Sequence, residues 1–294
     1  MPYPPPLPPH GITTTGWIVL CLLALAGLTC VIAGYRALRA CAWSRAGRRR
    51  WWLVLVVLVA LPLGAFGLLA EDVSTAEGIN WDLSIMRDVL LHHSDRVRHL
   101  LQVVTTTGAA LVVITLLCAT TATLLIARLR WSAAFLVCAT AASMIVDALM
   151  KQVFHRARPE IIPHYFIGGY SFPSGHTMNT MGFALAVTIV FWNTRWRWFA
   201  AFSSLAWAVS VGVSRVYLGV HFPSDVLGGW ALAVAVVAIV WLAFWVELEN
   251  DGSGAGLAAV ERSPAAHPAP TPPNDGDALS GSTGTEDPTL SSEE

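Results

Sequence analysis

The sequence predicts an all-α fold, a polytopic membrane helix bundle of about seven transmembrane helices, and three observations predict it. First, 55% of the 294 residues are hydrophobic and only 13% are charged, and the mean hydropathy of +0.57 is well above that of a soluble chain of this length. Second, the apolar residues fall into runs of about twenty, enough to cross a hydrocarbon core of roughly 30 Å. Third, arginines gather in every second loop between those runs. The formal net charge of −1 and the absence of a basic face argue against a nucleic-acid partner.

Residues 1–15 are proline-rich and uncharged, which suits a short extended tail. The first predicted span, 16–35, has neither the basic n-region nor the cleavage site of a secretory signal, so it reads as a retained helix. Arg36, Arg39, Arg45, Arg48, Arg49 and Arg50 form the densest basic loop, completing a segment 16–50 whose loop is cytoplasmic by the positive-inside rule. Trp51 and Trp52 read as interfacial anchors of a second span ending near Ala70. Glu71, Asp72, Glu77 and Asp82 then make an acidic loop suited to the outer face.

From Leu83 the apolar positions Leu83, Met86, Leu90, Val97 and Leu101 recur at helical spacing among charged residues, predicting one helix lying in the outer interface. His92, His93 and His99 on it read as interfacial polar residues rather than metal ligands. A third span is expected from Val103 to Ala127, a tight cytoplasmic turn at Arg128 and Arg130, and a fourth span from Ser132 to Met150. Asp147 and Lys151 lie four apart and share a helix face, where an intramembrane carboxylate needs a partner. The remaining spans are expected at Ser174–Asn193, up to Val213 after a third basic turn at Arg195 and Arg197, and at Ser224–Val246. The acidic remainder, 248–294, has too little apolar content to fold alone. The five cysteines, Cys21, Cys30, Cys41, Cys118 and Cys138, sit in or beside apolar segments, so no structural disulfide is expected. Basic turns after spans one, three and five agree on one orientation, with the N-terminus outside, the C-terminus in the cytoplasm and the loops at 153–173 and 217–223 on the outer face.

Those two loops border three clusters: Lys151 to Pro159, Pro173-Ser174-Gly175-His176, and Ser214-Arg215 followed by His221 and Asp225. They read K-x6-R-P, P-S-G-H and S-R-x5-H-x3-D. In that order, each beside an apolar helix, they resemble the type 2 phosphatidic acid phosphatase (PAP2) superfamily, which includes membrane lipid phosphatases and vanadium haloperoxidases. The resemblance covers roughly residues 50–247, so a PAP2-like six-helix membrane domain is expected at 51–247, with 16–50 as an added N-terminal helix and its basic loop.

A phosphate needs fixed cations and convergent N–H donors. Lys151, Arg158 and Arg215 are the cations, and a guanidinium can grip two oxygens at once. Ser174 and Gly175 open a helix, whose unpaired N–H groups favour an anion; Gly175 admits close backbone approach and Ser174 can donate a hydroxyl or cap the helix. Pro223 disfavours a continuous helix, placing His221 in a loop and Asp225 in the first turn of the seventh span, where it can accept the imidazole Nδ1–H. The resemblance implies that His221 is the nucleophile, Asp225 its orienting partner and His176 the general acid. It further implies that Lys151, Arg158, Ser174, Gly175 and Arg215 hold the phosphate, with no metal and no cofactor. His155 and His164 read as solvated loop residues.

The expected function is thus an integral plasma-membrane phosphatase acting on a lipid phosphate or diphosphate, of the phosphatidic acid, phosphatidylglycerol phosphate or undecaprenyl diphosphate class. Its partners are that substrate and the surrounding lipids. A phosphotransferase using the same phosphohistidine is the alternative, because an acceptor alcohol leaves no motif. The multiple spans argue against a haloperoxidase. A non-catalytic seven-span transporter would be favoured by loss of the histidine pair, and both histidines are present.

Overall fold

The computed structural model describes residues 56–75, 79–92, 94–159 and 169–250. The Pro-rich segment, the first predicted span, the basic loop from Arg36 to Arg50, Trp51, Trp52, Glu77, His93, His164 and the tail from 251 lie outside the described residues. Every regular element among the described residues is helical. A π-helical turn at Val56–Ala60 runs into α1 (Leu61–Ser74), followed by α2 (Ile79–Leu91), α3 (Asp95–Thr107) and α4 (Ala110–Ile126). Then come α5 (Arg130–Phe154), α6 (Gly175–Phe191), α7 (Arg197–Tyr217) and α8 (Pro223–Asn250). The all-α membrane bundle is as expected; the details differ at four places.

The second predicted span continues one turn past Ala70, so Glu71 and Asp72 end α1 instead of opening a loop. The single interfacial helix expected from Leu83 to Leu101 is two helices. Ser94, extended at φ −124° and ψ 130°, stands at the N-cap of α3, and its N–H donates to the Tyr217 hydroxyl at 3.0 Å. A serine at an N-cap followed by an aspartate in the first turn is a helix start, and it outranked the apolar period. The third predicted span is broken as well: α3 and α4 meet at a bend of 50°. Gly108 lies at that bend against α7, where an added Cβ would stand 2.5 Å from Val211 Cγ1. The last helix runs to Asn250, beyond the expected end of the seventh span at Val246 and into the predicted tail.

The described residues give a partial count of spans. Four helical stretches among the described residues are long and apolar enough to cross a membrane, at 57–74, 130–154, 197–217 and 223–244, or five if the bent pair α3 and α4 makes one span. The helix α6 has 17 residues, or about 26 Å at 1.5 Å per residue, the short end of what a bilayer requires. With the first predicted span, 16–35, outside the described residues, the exact count of seven is not confirmed.

The bundle is built around α6, which packs against α5, α7 and α8. Its stretch from Thr177 to Ala184 is buried on every side, as expected of a helix without a polar face. One apolar core joins Leu129, Phe135, Leu136, Phe183, Val190 and Val237 near the Arg128 turn. A second joins Phe66, Met150, Phe172, Met178 and Leu232 near the opposite helix ends. Outward, Leu111, Ile126, Ile145, Phe199 and Phe202 are exposed, the surface of an integral membrane protein facing lipid tails. Around the turn at Arg195 and Arg197, Trp192, Trp196 and Trp198 are half-exposed, with guanidinium groups over the Trp196 and Trp198 rings at 5.2 and 5.7 Å. Such rings suit the membrane–water interface.

Candidate active site

The four helix ends that carry the clusters are stitched together by backbone hydrogen bonds. The Ser174 N–H donates to the Asp225 carbonyl at 3.0 Å, and the Ser171 N–H donates to the Arg156 carbonyl at 2.8 Å. Phe172 anchors the loop between them: it is fully buried, with its ring 5.5 Å from Phe66 and 4.9 Å from Phe154, and it lies over Gly228. At Gly228 a Cβ would meet that ring at 2.7 Å.

Pro223 is the first residue of α8, a position where its missing N–H costs nothing. Asp225 consequently sits in the first turn and His221 in the preceding loop, both buried. Asp225 Oδ2 accepts from the Phe222 N–H at 2.9 Å, from the Ser171 hydroxyl, and faces His221 Nδ1 at 3.3 Å. On the other side of the ring, Arg158 Nη1 donates to His221 Nε2 at 2.9 Å. These partners assign the tautomer: Nδ1 carries the proton toward the carboxylate, and Nε2 holds the free lone pair among the cations. Burial pushes the His221 imidazole down to about 4, against the raising effect of Asp225, so the ring is neutral near pH 7. Burial also lowers the Arg158 guanidinium, opposed by Asp225 and Asp147, without approaching loss of its charge.

Arg158 also donates to the carbonyls of Val220 and Gly169, at 3.2 and 3.3 Å. Lys151 pairs with Asp147 at 2.6 Å, as their spacing predicts. That pair rests on the start of α6: a Cβ on Gly175 would stand 2.5 Å from Lys151 Nζ and 2.7 Å from Asp147 Oδ2. Thus Gly175 admits the lysine as well as leaving its backbone open. Ser174 is the N-cap by position, but its hydroxyl bonds no α6 N–H; it accepts from Thr177 Oγ1 at 2.9 Å and keeps its own proton free to donate. Arg215, buried near the end of α7, donates from Nη1 to Thr105 Oγ1 on α3 at 2.8 Å, while its Nε has no partner. His176 stands where Arg215, His221, Lys151 and Arg158 all act on it electrostatically. All eight residues singled out in the sequence therefore lie at one end of the bundle, and three of them, Arg158, His221 and Asp225, are directly bonded in series.

Four neighbours bonded to these residues or to one another were not anticipated. Arg156, inside the first cluster, donates to Asp225 Oδ1 at 2.5 Å and to Asp82 Oδ2 at 2.7 Å. Asp82, expected in an acidic loop suited to the outer face, is fully buried on α2. Ser171 and Thr105 are the others. Arg156 lies two residues before Arg158 and carries no motif of its own. Asp82 did leave a signal, since it stands four residues before the buried Met86 and so shares its face. His155, expected to be solvated, ends α5 in the left-handed region at φ 46° with its ring edge-on to Tyr170 at 4.4 Å.

Residues 131–249 match the family model of the PAP2 superfamily. Phosphatidylglycerophosphatase B of Bacillus subtilis is 27% identical over 181 residues, 60% of this chain and 89% of that protein. Undecaprenyl-diphosphatase of Sulfolobus acidocaldarius is 32% identical over 117 residues, 37% of this chain and 52% of that one. The crystal structure of a transmembrane PAP2-type phosphatidylglycerolphosphate phosphatase from Bacillus subtilis superimposes with a TM-score of 0.56 at 25% identity, covering 65% of this chain and 96% of that one. The motif order, the all-helical membrane bundle and these likenesses agree: residues 131–249 form a PAP2-superfamily region, similar to that of membrane lipid phosphatases and supporting a phosphoric monoester or diphosphate hydrolase.

Proposed function

We propose that this membrane hydrolase removes phosphate from a lipid phosphate or diphosphate through a phosphohistidine on His221. The observation that carries the reading is the pair of contacts on one ring: Asp225 at Nδ1 and the Arg158 guanidinium at Nε2. The lone pair is thereby aimed at the place where cations would hold an anion, which is what a nitrogen nucleophile for phosphorus requires. Names of similar proteins support a lipid substrate, since they include a phosphatidylglycerophosphatase, an undecaprenyl-diphosphatase and lipid A phosphatases.

In the first step, with His176 as the imidazolium beside the bound phosphate anion, His221 Nε2 displaces Arg158 Nη1, forms the N–P bond and expels the lipid oxygen, whose bonding pair takes the His176 proton. The P–O bond to the lipid is replaced by a free lipid alcohol, or a lipid monophosphate where the substrate is a diphosphate, and a phosphoryl group on His221. In the second step His176 accepts a proton from water as its oxygen attacks phosphorus, and the N–P pair returns to Nε2. Lys151, Arg158, Arg215, the Ser174 hydroxyl and the first N–H groups of α6, at Gly175, face the three equatorial oxygens throughout, and stabilising their charge is the main work of phosphoryl transfer. Positive turns at Arg128 to Arg130 and Arg195 to Arg197 lie at the other end of the helices, so the positive-inside rule supports an outward-facing site in the plasma membrane.

The test uses purified protein with a panel of phosphatidic acid, phosphatidylglycerol phosphate and undecaprenyl diphosphate. Phosphate release, persisting in excess EDTA and blocked by vanadate, is expected for at least one of them. Rapid quenching with a labelled substrate should trap an acid-labile, base-stable phosphoenzyme that His221→Gln does not form. Label retained in His221→Gln, or activity lost to EDTA and restored by Mg²⁺, would refute the mechanism.

A further inference from the structure

The groups around Asp225 include one link that the reaction just described does not use. Asp225 Oδ2 has three partners, but Oδ1 has Arg156 Nη1, at 2.5 Å. The same Nη1 donates to Ser224 Oγ at 2.7 Å, and Nη2 donates to Asp82 Oδ2 at 2.7 Å. Asp82 is itself held on both oxygens, by the Ser224 N–H at 2.9 Å on Oδ1 and by the Ser224 hydroxyl at 2.5 Å on Oδ2. The Phe222 ring covers the guanidinium at 4.2 Å. The result is a carboxylate, a guanidinium and a second carboxylate in line, all shielded from water.

From this we infer that Asp82 and Arg156 are positioning residues for the reaction: through Arg156, helix α2 locks the Asp225 carboxylate in the orientation that directs His221 Nε2 at phosphorus. The inference rests on the phosphohistidine reading above. Three physical points support it. A carboxylate with one oxygen unpartnered can rotate about its Cβ–Cγ bond, and Arg156 on Oδ1 removes that freedom while Oδ2 faces the imidazole. The fork of a guanidinium is rigid and planar, so anchoring Nη2 on Asp82 fixes where Nη1 points. Asp82 also balances the charge of Arg156, leaving Asp225 a strong acceptor for the imidazole N–H.

A buried ion pair is a poor device for stability alone, since an apolar replacement is often as stable. Its contact with the partner of the reactive histidine gives it a different use. The link also reaches beyond the family-matched residues 131–249, because Asp82 belongs to α2.

The test compares Asp82→Asn, which keeps the shape and removes the charge, with Arg156→Ala. Both are assayed in full-length protein on whichever lipid phosphate of the panel is turned over fastest. Positioning predicts a kcat lower by about 10- to 100-fold, the loss typical when the partner of a reactive group is removed, with KM and inhibition by inorganic phosphate within about twofold of the parent. Guanidinium ion, well below denaturing concentration, should restore part of the turnover to Arg156→Ala and none to His221→Ala. In ¹⁵N-histidine spectra of Asp82→Asn, the His221 signal should shift from a single Nδ1–H tautomer to a mixture.

Unchanged kcat in Asp82→Asn overturns the inference. So does an equal loss of turnover and phosphate affinity, which would mark a strut for the fold instead. If Arg156→Ala does not fold, the near-isosteric Asp82→Asn decides alone. A phosphoenzyme that survives in His221→Ala would sink the underlying reading, whereas a dead His221→Ala beside a fully active Asp82→Asn would sink only this one.

Discussion

His221 and His176 differ in what holds them. His221 is fixed on both nitrogens, while His176 starts α6 among four positive or potentially positive groups. If the first attacks and the second donates a proton, their removal has different costs. His221→Ala should abolish turnover of every substrate, whereas His176→Ala should spare the burst of phenol from p-nitrophenyl phosphate, whose leaving group hardly needs a proton. General acid help is worth about 10²- to 10⁴-fold, so the difference between alkyl and aryl substrates should be plain in single-turnover kinetics. Equal loss of the burst in both variants would contradict the roles.

The titration of His221 gives a second residue-scale prediction. Its folded value, about 4, lies below the ordinary 6.5, so below pH 6.5 the unfolded chain takes up the proton more readily than the native one. The native state therefore has its full stability from this ring above pH 6.5 and loses it progressively as pH falls toward 4. Histidine NMR of the phosphate-free protein should show His221 still neutral at pH 5.5, and a midpoint near 6.5 would contradict this. Gly175 makes a third prediction. Because a Cβ there would overlap Lys151 Nζ and Asp147 Oδ2, Gly175→Ala should displace the lysine and weaken vanadate inhibition, while the melting temperature changes little because the lysine head can swing away.

Among the elements, α3 and α4 depart furthest from the sequence reading. Apolar content argued for one uninterrupted span, yet the chain bends by 50° at Gly108, next to Val211 of α7. The bend brings Thr105 to Arg215 and Thr107 to the indole N–H of Trp207, at 2.8 and 2.9 Å. Overpacking at such a contact costs about 1–3 kcal/mol. Gly108→Ala is accordingly expected to lower the melting temperature in detergent, and Val211→Ala in the same chain should recover most of the loss. No recovery would mean that the junction does not depend on this contact.

For the molecule as a whole, the basic turns and the candidate site occupy opposite helix ends. Single cysteines introduced at the exposed positions 130 and 196, in a background free of native cysteines, should be labelled by an impermeant reagent only after the membrane is opened, and one at position 170 before it. The reverse pattern would place the site in the cytoplasm.

Much of this was legible in the chain. Runs of apolar residues determine membrane helices because an unpaired peptide group in lipid is prohibitive, and Pro223 separated His221 from Asp225 by local sterics alone. The Lys151 and Asp147 pair followed from helical spacing. What lay beyond reach has a common cause. Asp82 and Arg156 are 74 residues apart, and although the spacing to Met86 puts Asp82 on a buried face, nothing local says that it will meet a guanidinium there. The same holds for Thr105 and Arg215, and for the break at Gly108, which depends on a valine a hundred residues later. Local rules of propensity, period and charge thus determined most of the helices and the three clusters by themselves. Which side chains complete the site was decided only by tertiary packing, because burial and ion pairing are properties of the space between helices.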